Sequence, residues 1–255
     1  SLWIVIFFME VFMLDMDSEF KKYVENYDMN AIKIRLKYNH SYRVKDLSIK
    51  LAKDLKLDDE NVYLASLIGL LHDIGRFEQA RIYDSFVDYK TVDHADLGVK
   101  ILFEDGLIRK FVADVCYDKV IYTAIKNHNK YSIEPDLDQN TLLHSKIIRD
   151  ADKIDILYIQ SCTDEYNFNE DGMPASSDIR KEFYENKPVD NLKVKNKTDG
   201  ILRIISFLYD INYKYSYKYI YENNFLDNLY NKLQHKEVVK EYFDYMKKYL
   251  KERSE

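Results

Sequence analysis

Leu70-Leu71-His72-Asp73-Ile74-Gly75-Arg76 places a histidine and an aspartate side by side at the end of a strongly apolar run. An ionised carboxylate is costly to bury unless another group compensates its charge, and beside an imidazole a metal ion is the usual compensation. Leu64, Ile68, Leu71 and His72 share one face of a predicted helix, which we expect to end at Gly75. The pair is therefore predicted to point inward, at a metal site.

Three other histidines and one aspartate hold similar inward positions on predicted helices, namely His40 with Val44 and Leu47, His94 with Leu97 and Ile101, His128 with Ile121 and Ala124, and Asp152 with Ile148 and Ile156. A single histidine on an apolar face is usually an ordinary core residue. Four histidines with two acids are better explained as ligands for Fe, Mn, Zn or a similar ion. Without a thiolate, such a set suits a reactive centre with open positions better than a closed structural zinc site.

The composition favours a helical protein with a substantial core. The chain has 255 residues, of which 46% are apolar, with only 6 glycines and 3 prolines to interrupt helices. This length allows one large domain or two small ones. The formal charge of −6 argues against nucleic acid as an obligate partner, because phosphate-backbone binding needs clustered Lys and Arg. We therefore expect an all-α fold.

Two features bear on location. Cys116 and Cys162 are the only cysteines, which favours a reduced, cytoplasmic compartment. Residues 1–15 form an apolar N-terminal extension that is too short to span a bilayer, since a span needs ~20 residues. We favour an extension upstream of a start at Met9, Met13 or Met16, with a membrane-touching or partner-binding helix as the alternative. No stable membrane span is predicted.

The helical pattern continues to the end of the chain and predicts its organisation. Residues 16–160 are expected to form a metal-binding helical domain that includes a helix over 141–159. Residues 161–255 are expected to form a polar insert and C-terminal helices that pack on the same domain. The insert spans 163–200 and carries a predicted helix over 177–184.

The predicted ligands resemble a known family. His40, His72-Asp73 and Asp152 resemble the ligand motif of the HD superfamily of metal-dependent phosphohydrolases, and Ile74-Gly75 extends the match to its HDIG variant. The segment Arg149-Asp150-Ala151-Asp152-Lys153-Ile154-Asp155 resembles the closing aspartate motif of that family. The resemblance runs from about 40 to 155, under half of the chain. It implies an HD-domain helical bundle, to which the later helices are additional.

The resemblance also implies roles for the ligands. His40, His72, Asp73 and Asp152 would bind a first ion. His94 and His128 resemble the two inserted histidines of members with dinuclear centres, in which Asp73 would bridge the ions. The expected cofactor is therefore a pair of divalent transition-metal ions, with Fe or Mn favoured and Zn, Ni, Co or Mg as alternatives.

The implied activity is hydrolysis of a phosphate ester or anhydride, in a nucleotide or another small phosphorylated metabolite, by a metal-activated water. Asp73 and Arg76 are the expected catalytic residues, and Arg76 would bind a phosphate oxygen unless it pairs with Asp73 or Glu78. The absent GYP signature argues against cyclic-di-nucleotide cleavage. The alternatives are a mixed-valent di-iron oxygenase of the same superfamily and a non-catalytic nucleotide-binding regulatory module.

Residues near the predicted ligands have secondary roles. Asp93 or Asp96 is expected to hydrogen-bond a ligand histidine and fix its orientation. His144 lies on the same predicted helix as Asp152 but has no counterpart in the family pattern, so it is not expected to bind metal.

Overall fold

The computed structural model describes residues 15–165 and 170–255. Their regular structure consists of α-helices and short 3₁₀ and π turns, with no β-strand in these two ranges. The predicted all-α fold is thereby confirmed. The apolar segment 2–14, and with it the choice between an extension and a membrane-touching helix, lies outside the described residues.

The helices follow one another along the chain, and the connections between them vary in length. The first eight are α1 (Met16–Val24), α2 (Ile32–Asp54), α3 (Asp59–Leu71), α4 (Ile74–Tyr83), α5 (His94–Val99), α6 (Asp118–Asn127), α7 (Gln139–Cys162) and α8 (Ser177–Tyr184). The last four are α9 (Lys197–Ile205), α10 (Lys214–Glu222), α11 (Phe225–Lys232) and α12 (Lys236–Ser254). A π turn over Lys100–Glu104 extends α5, and Gly106, with a φ of +80°, follows it.

The chain divides into two compact units, Ser1–Arg149 and Asp150–Glu255, with the division inside α7. In the first unit, every residue of α3 from Leu64 to Leu71 is buried, so this helix is the centre of the core. Its N-terminus is capped by Asp58, whose carboxylate accepts the Asn61 N–H at 2.9 Å. Asp59 and Glu60 make the first turn acidic, which suits the N-terminus of the helix that leads to the His-Asp pair.

A close helix–helix approach holds α2 against α3 and fixes the position of His40 relative to His72. At Gly69, an added Cβ would lie 2.7 Å from Ser48 Oγ and 2.9 Å from the Lys45 Cα. Because only a glycine permits this approach, α2 packs on α3 backbone to backbone near the end of α3.

The helix that carries His72 ends earlier than the sequence predicts. It stops at Leu71, Asp73 has non-helical angles (φ −102°, ψ 18°), and α4 begins at Ile74. The expectation that Gly75 ends the helix is therefore wrong, since Gly75 lies inside the first turn of α4. The break has a consequence for the site: adjacent residues of one continuous helix point about 100° apart, whereas a break lets both face one point.

The second unit buries charged side chains, among them Asp150 and Lys153. Asp150 is buried and accepts hydrogen bonds from Asn212, the Tyr213 N–H and the Ser216 hydroxyl at 2.6–3.2 Å. It therefore satisfies the donors at the start of α10. Lys153, also buried, pairs with Asp210 at 2.7 Å. Neither side chain has the surface position that is usual for a charged residue.

No helix in the described part of the chain is both long enough and apolar enough to cross a membrane.

Candidate metal centre

Asp73 lies between two pairs of histidines in the first unit. Its Oδ2 is 3.4 Å from His40 Nε2 and 3.6 Å from His72 Nε2. Its Oδ1 is 3.3 Å from His94 Nε2 and 3.6 Å from His128 Nε2. All five side chains are buried, and each pair together with Asp73 forms a group whose donor atoms can hold a metal ion. The two oxygens of one carboxylate thus face two candidate metal positions.

The tautomers of three histidines are set by the partners of Nδ1. His72 Nδ1 is 2.8 Å from the Gly69 carbonyl oxygen, and His128 Nδ1 is 2.6 Å from the Ile125 carbonyl oxygen. His94 Nδ1 is 2.6 Å from the Asp88 Oδ2. Carbonyl and carboxylate oxygens only accept, so Nδ1 carries the proton in the neutral form of each ring and Nε2 then presents a lone pair.

The Nε2 atoms of the four histidines converge in two pairs. His94 Nε2 lies 3.0 Å from His128 Nε2, and His40 Nε2 lies 3.1 Å from His72 Nε2. Burial and the nearby Arg76 guanidinium lower the pKa of His94 to about 4, so this ring is neutral at pH 7. Two facing lone pairs at such distances repel each other unless a proton or a metal cation lies between them. The donor set therefore fits a divalent cation of the kind that binds imidazole and carboxylate.

The Asp73 carboxylate is ionised although it is buried. Burial acts to raise its pKa, but Lys37 and the surrounding histidines outweigh that effect and hold the pKa well below its usual range. Lys37 Nζ is 2.6 Å from Asp73 Oδ2, on the side of the carboxylate that faces His40. Lys37 precedes His40 by one turn of α2, and the sequence does not indicate its role, because a lone lysine on a helix usually faces solvent.

Gly75 brings the start of α5 against α4 and so places His94 beside Asp73. An added Cβ at Gly75 would lie 2.3 Å from the His94 carbonyl oxygen and 2.7 Å from the Gly98 backbone nitrogen. No side chain fits this gap. The glycine of the His-Asp-Ile-Gly stretch therefore serves the approach of two backbones.

The carboxylate that hydrogen-bonds His94 is Asp88, and not Asp93 or Asp96. Asp93 is the N-cap of α5, and its Oδ1 accepts the N–H groups of Ala95 and Asp96 at 2.9 and 3.1 Å. The expectation that Asp93 or Asp96 hydrogen-bonds a ligand histidine is therefore wrong. Asp93 instead accepts the backbone N–H groups at the start of α5. Asp88 lies in a polar connection without helical periodicity, and no signal in the sequence distinguishes it.

Arg76 faces the same carboxylates. Its Nη1 donates to Gln79 Oε1, Phe86 O and Asp88 Oδ1 at 2.6–2.9 Å, and its Nε lies 3.7 Å from Asp73 Oδ1. The alternative prediction, that Arg76 pairs with a nearby acid, therefore applies in part. The close partner is Asp88 at 2.7 Å, and the predicted partner Asp73 is farther away at 3.7 Å. Among the described residues, neither Nη2 nor the buried Nε has a hydrogen-bond partner, so both remain as donors for a ligand.

The remaining predicted residues lie on α7. His144 is buried in the first unit, where its Nε2 is 2.9 Å from Asn61 Oδ1, and it belongs to none of the donor groups that can hold a metal among the described residues. Asp152 lies three residues past Arg149, in the part of α7 that belongs to the second unit. Its role as a ligand remains the expectation drawn from the family resemblance.

The comparison with known families agrees with this site. The family model described as "HD domain" matches residues 38–157, a stretch that contains all six predicted ligands. No curated protein and no solved structure matches the chain. Residues 38–157 are therefore an HD domain, the domain that characterises a superfamily of metal-dependent hydrolases.

Proposed function

We propose that the protein is a metal-dependent phosphohydrolase that cleaves a phosphate ester or anhydride in a nucleotide or another small phosphorylated metabolite. The observation that carries this proposal is the Asp73 carboxylate, with one oxygen near each of two histidine pairs. Two divalent ions bound there would act as Lewis acids that activate water and withdraw electron density from a phosphoryl group. His40, His72, Asp73, His94 and His128, with Asp152 as the predicted sixth ligand, would hold them.

The charge balance of the centre favours an anionic substrate. Two divalent ions carry four positive charges, against at most two negative charges from the ligands Asp73 and Asp152. Asp88 does not change this balance, because Arg76 pairs with it at 2.7 Å. The surplus of positive charge would attract a phosphate group and would disfavour a neutral ligand.

Two cationic side chains of the first unit can bind that phosphate. Lys37 Nζ contacts the Asp73 carboxylate in this structure, and a phosphate oxygen offers the same kind of anionic acceptor. Arg76 Nη2 adds a planar donor once Nη1 is held by Asp88. We propose that both residues bind phosphate oxygens, Arg76 as the sequence predicted and Lys37 as an addition.

The buried histidines limit proton chemistry at the centre. The Nδ1–H groups of His72 and His128 are held by carbonyl oxygens, so these rings keep one tautomer throughout.

We propose that the functional unit extends to about residue 160, as the sequence predicts, because the family match runs past Arg149 to residue 157. The free thiols of Cys116 and Cys162 are compatible with the predicted cytoplasmic location.

Removal of metal is expected to abolish hydrolysis. Protein dialysed against a chelator, then reloaded with Mn²⁺ or, under anaerobic conditions, Fe²⁺, should regain activity on a panel of nucleoside mono-, di- and triphosphates and simple phosphate esters. Phosphate or pyrophosphate release and oxygen uptake are measured in the same samples. Metal-loaded protein that consumes oxygen without releasing phosphate would replace the proposal with the oxygenase alternative, and binding without turnover would favour the regulatory one.

Replacing Lys37 with methionine is expected to raise KM while metal content stays unchanged. A hydrogen bond to a charged group contributes about 1.5–3 kcal/mol, so the expected increase is roughly ten- to a hundredfold. Steady-state kinetics on the best substrate of the panel and elemental analysis check both parts.

Lys33→Met is the matched control, because Lys33 lies one turn earlier on α2 and, within 15–165 and 170–255, pairs only with the exposed Asp84. Its KM should equal that of the wild type. An unchanged KM in Lys37→Met would exclude Lys37 as a phosphate ligand.

A further inference from the structure

The Asp88 carboxylate links His94 to two side chains of α4. Its Oδ2 accepts from His94 Nδ1 at 2.6 Å. Its Oδ1 accepts from Arg76 Nη1 at 2.7 Å and from Gln79 Nε2 at 2.9 Å. Both oxygens are thus in use, one toward the candidate ligand and one toward the helix that begins right after Asp73.

The Gln79 side chain keeps Asp88 in place. It is fully buried, and its Nε2 also donates to Thr91 Oγ1 and to the Val92 carbonyl at 2.8 and 2.9 Å. Its Oε1 accepts from Arg76 at 2.6 Å. Gln79 thereby ties the connection between α4 and α5 to α4 itself, and the position of Asp88 does not depend on a bound ion.

His94 differs in this respect from two other candidate ligands. The Nδ1–H groups of His72 and His128 are held by backbone carbonyls of their own chain segments, whereas His94 is held by a carboxylate. A carboxylate on the distal nitrogen fixes the ring and raises its basicity more than a carbonyl does. The candidate metal position near Asp73 Oδ1 therefore includes a histidine that is held by a carboxylate. At the position near Asp73 Oδ2, His72 is held by a backbone carbonyl instead.

We propose that Asp88, held by Arg76 and Gln79, is a positioning residue that acts through His94 and sets the metal affinity of the position formed by Asp73 Oδ1, His94 and His128. The position formed by Asp73 Oδ2, His40 and His72 does not depend on it. This inference rests on the proposed function, since it needs both positions to bind divalent ions.

Asp88→Asn is the test, because the amide keeps the shape of the carboxylate but has a single acceptor oxygen. That oxygen cannot serve His94 on one side and both Arg76 and Gln79 on the other. Titration of the metal-free protein with Mn²⁺ or Co²⁺, followed by calorimetry and elemental analysis, should show one ion bound as in the wild type. The second ion should bind about 10- to 100-fold more weakly.

Two further variants make the result specific. In the His94→Ala background, Asp88→Asn should have no additional effect on metal binding, because its partner is already missing. Asp93→Asn should bind both ions normally, since Asp93 caps α5 and an asparagine caps equally well. If Asp88, Asp93 and His94 Nδ1 formed a cation site of their own, Asp93→Asn would lose an ion and the proposal would fall.

The remaining outcomes separate this inference from the proposed function. A wild-type chain that binds no ion overturns both, and one that binds a single ion overturns the scheme of two positions. If the wild type binds two ions and the Asp88→Asn variant binds both with unchanged metal affinities, only this inference is overturned. The same holds if Asp88→Asn loses both ions together, because the effect would then not pass through His94 only.

Discussion

Replacing Asp73 with asparagine is expected to remove both ions from the proposed centre and to lower hydrolysis by about a thousandfold or more, since bound metal contributes several kcal/mol to catalysis. Each oxygen of the carboxylate faces a different histidine pair. An amide retains one neutral oxygen and presents an N–H₂ group to the other pair. Both candidate positions are therefore affected by one substitution.

Elemental analysis of anaerobically purified protein and calorimetric metal titration check the metal content of Asp73→Asn, and the phosphate-release assay checks its rate. Asp105→Asn is the control, because Asp105 is an exposed residue of the same unit that pairs with Lys100. Its metal content and rate should match those of the wild type. Retention of one ion by Asp73→Asn would show that Asp73 serves a single position.

The histidines of the cluster could be predicted because they follow helical periodicity. His40, His94 and His128 each lie on an apolar face, and the structure places their Nε2 atoms within 3.3–3.6 Å of an Asp73 oxygen. A helical face determines the direction in which a side chain points, and several inward-pointing ligands in one core have few places to meet.

Two contributors to the site were not predictable in this way. Lys37 contacts Asp73 from a helix position that usually faces solvent, and Asp88 lies in a connection without a period. Their roles depend on contacts between segments that are far apart in sequence or irregular in structure. The sequence predicts Asp93 or Asp96 as the partner of a ligand histidine, and the use of Asp93 as a helix cap is visible only in the structure.

Two cationic side chains support the proposed hydrolysis over oxygenation, which would use the same ligand set. The predicted six ligands suit hydrolysis and oxygenation equally, since both use imidazole and carboxylate donors. Lys37 at 2.6 Å from Asp73 and Arg76 with a free Nη2 add positive charge where a substrate would meet the centre. Such groups have a clear purpose when the transferred group is a phosphate, whose charge must be balanced as the bond breaks.

Replacing Gly75 with alanine is expected to disturb both the fold and the second metal position, which is the one formed by Asp73 Oδ1, His94 and His128. The new Cβ would lie 2.3 Å from the His94 carbonyl oxygen, and backbone atoms cannot rotate away as a side chain can. Relief requires α5 to move from α4, which costs stability at or above the upper end of the roughly 1–3 kcal/mol typical of overpacking. The movement carries His94 away from Asp73, so the second ion should bind more weakly even in the molecules that remain folded.

Urea unfolding and metal titration of Gly75→Ala measure the two effects, and two other glycines serve as controls. Gly98 lies across the same contact, but its Cβ would meet the Ile74 side chain at 3.3 Å, so Gly98→Ala should cost clearly less. Gly200 lies within α9 with nothing within 4 Å of an added Cβ, and Gly200→Ala should be neutral or stabilising by about 0.5–1 kcal/mol. Equal stabilities and metal affinities across the three variants would show that Gly75 does not position His94. A graded loss, largest at Gly75, would show that the backbone approach of α4 and α5 holds the second histidine pair at the shared carboxylate.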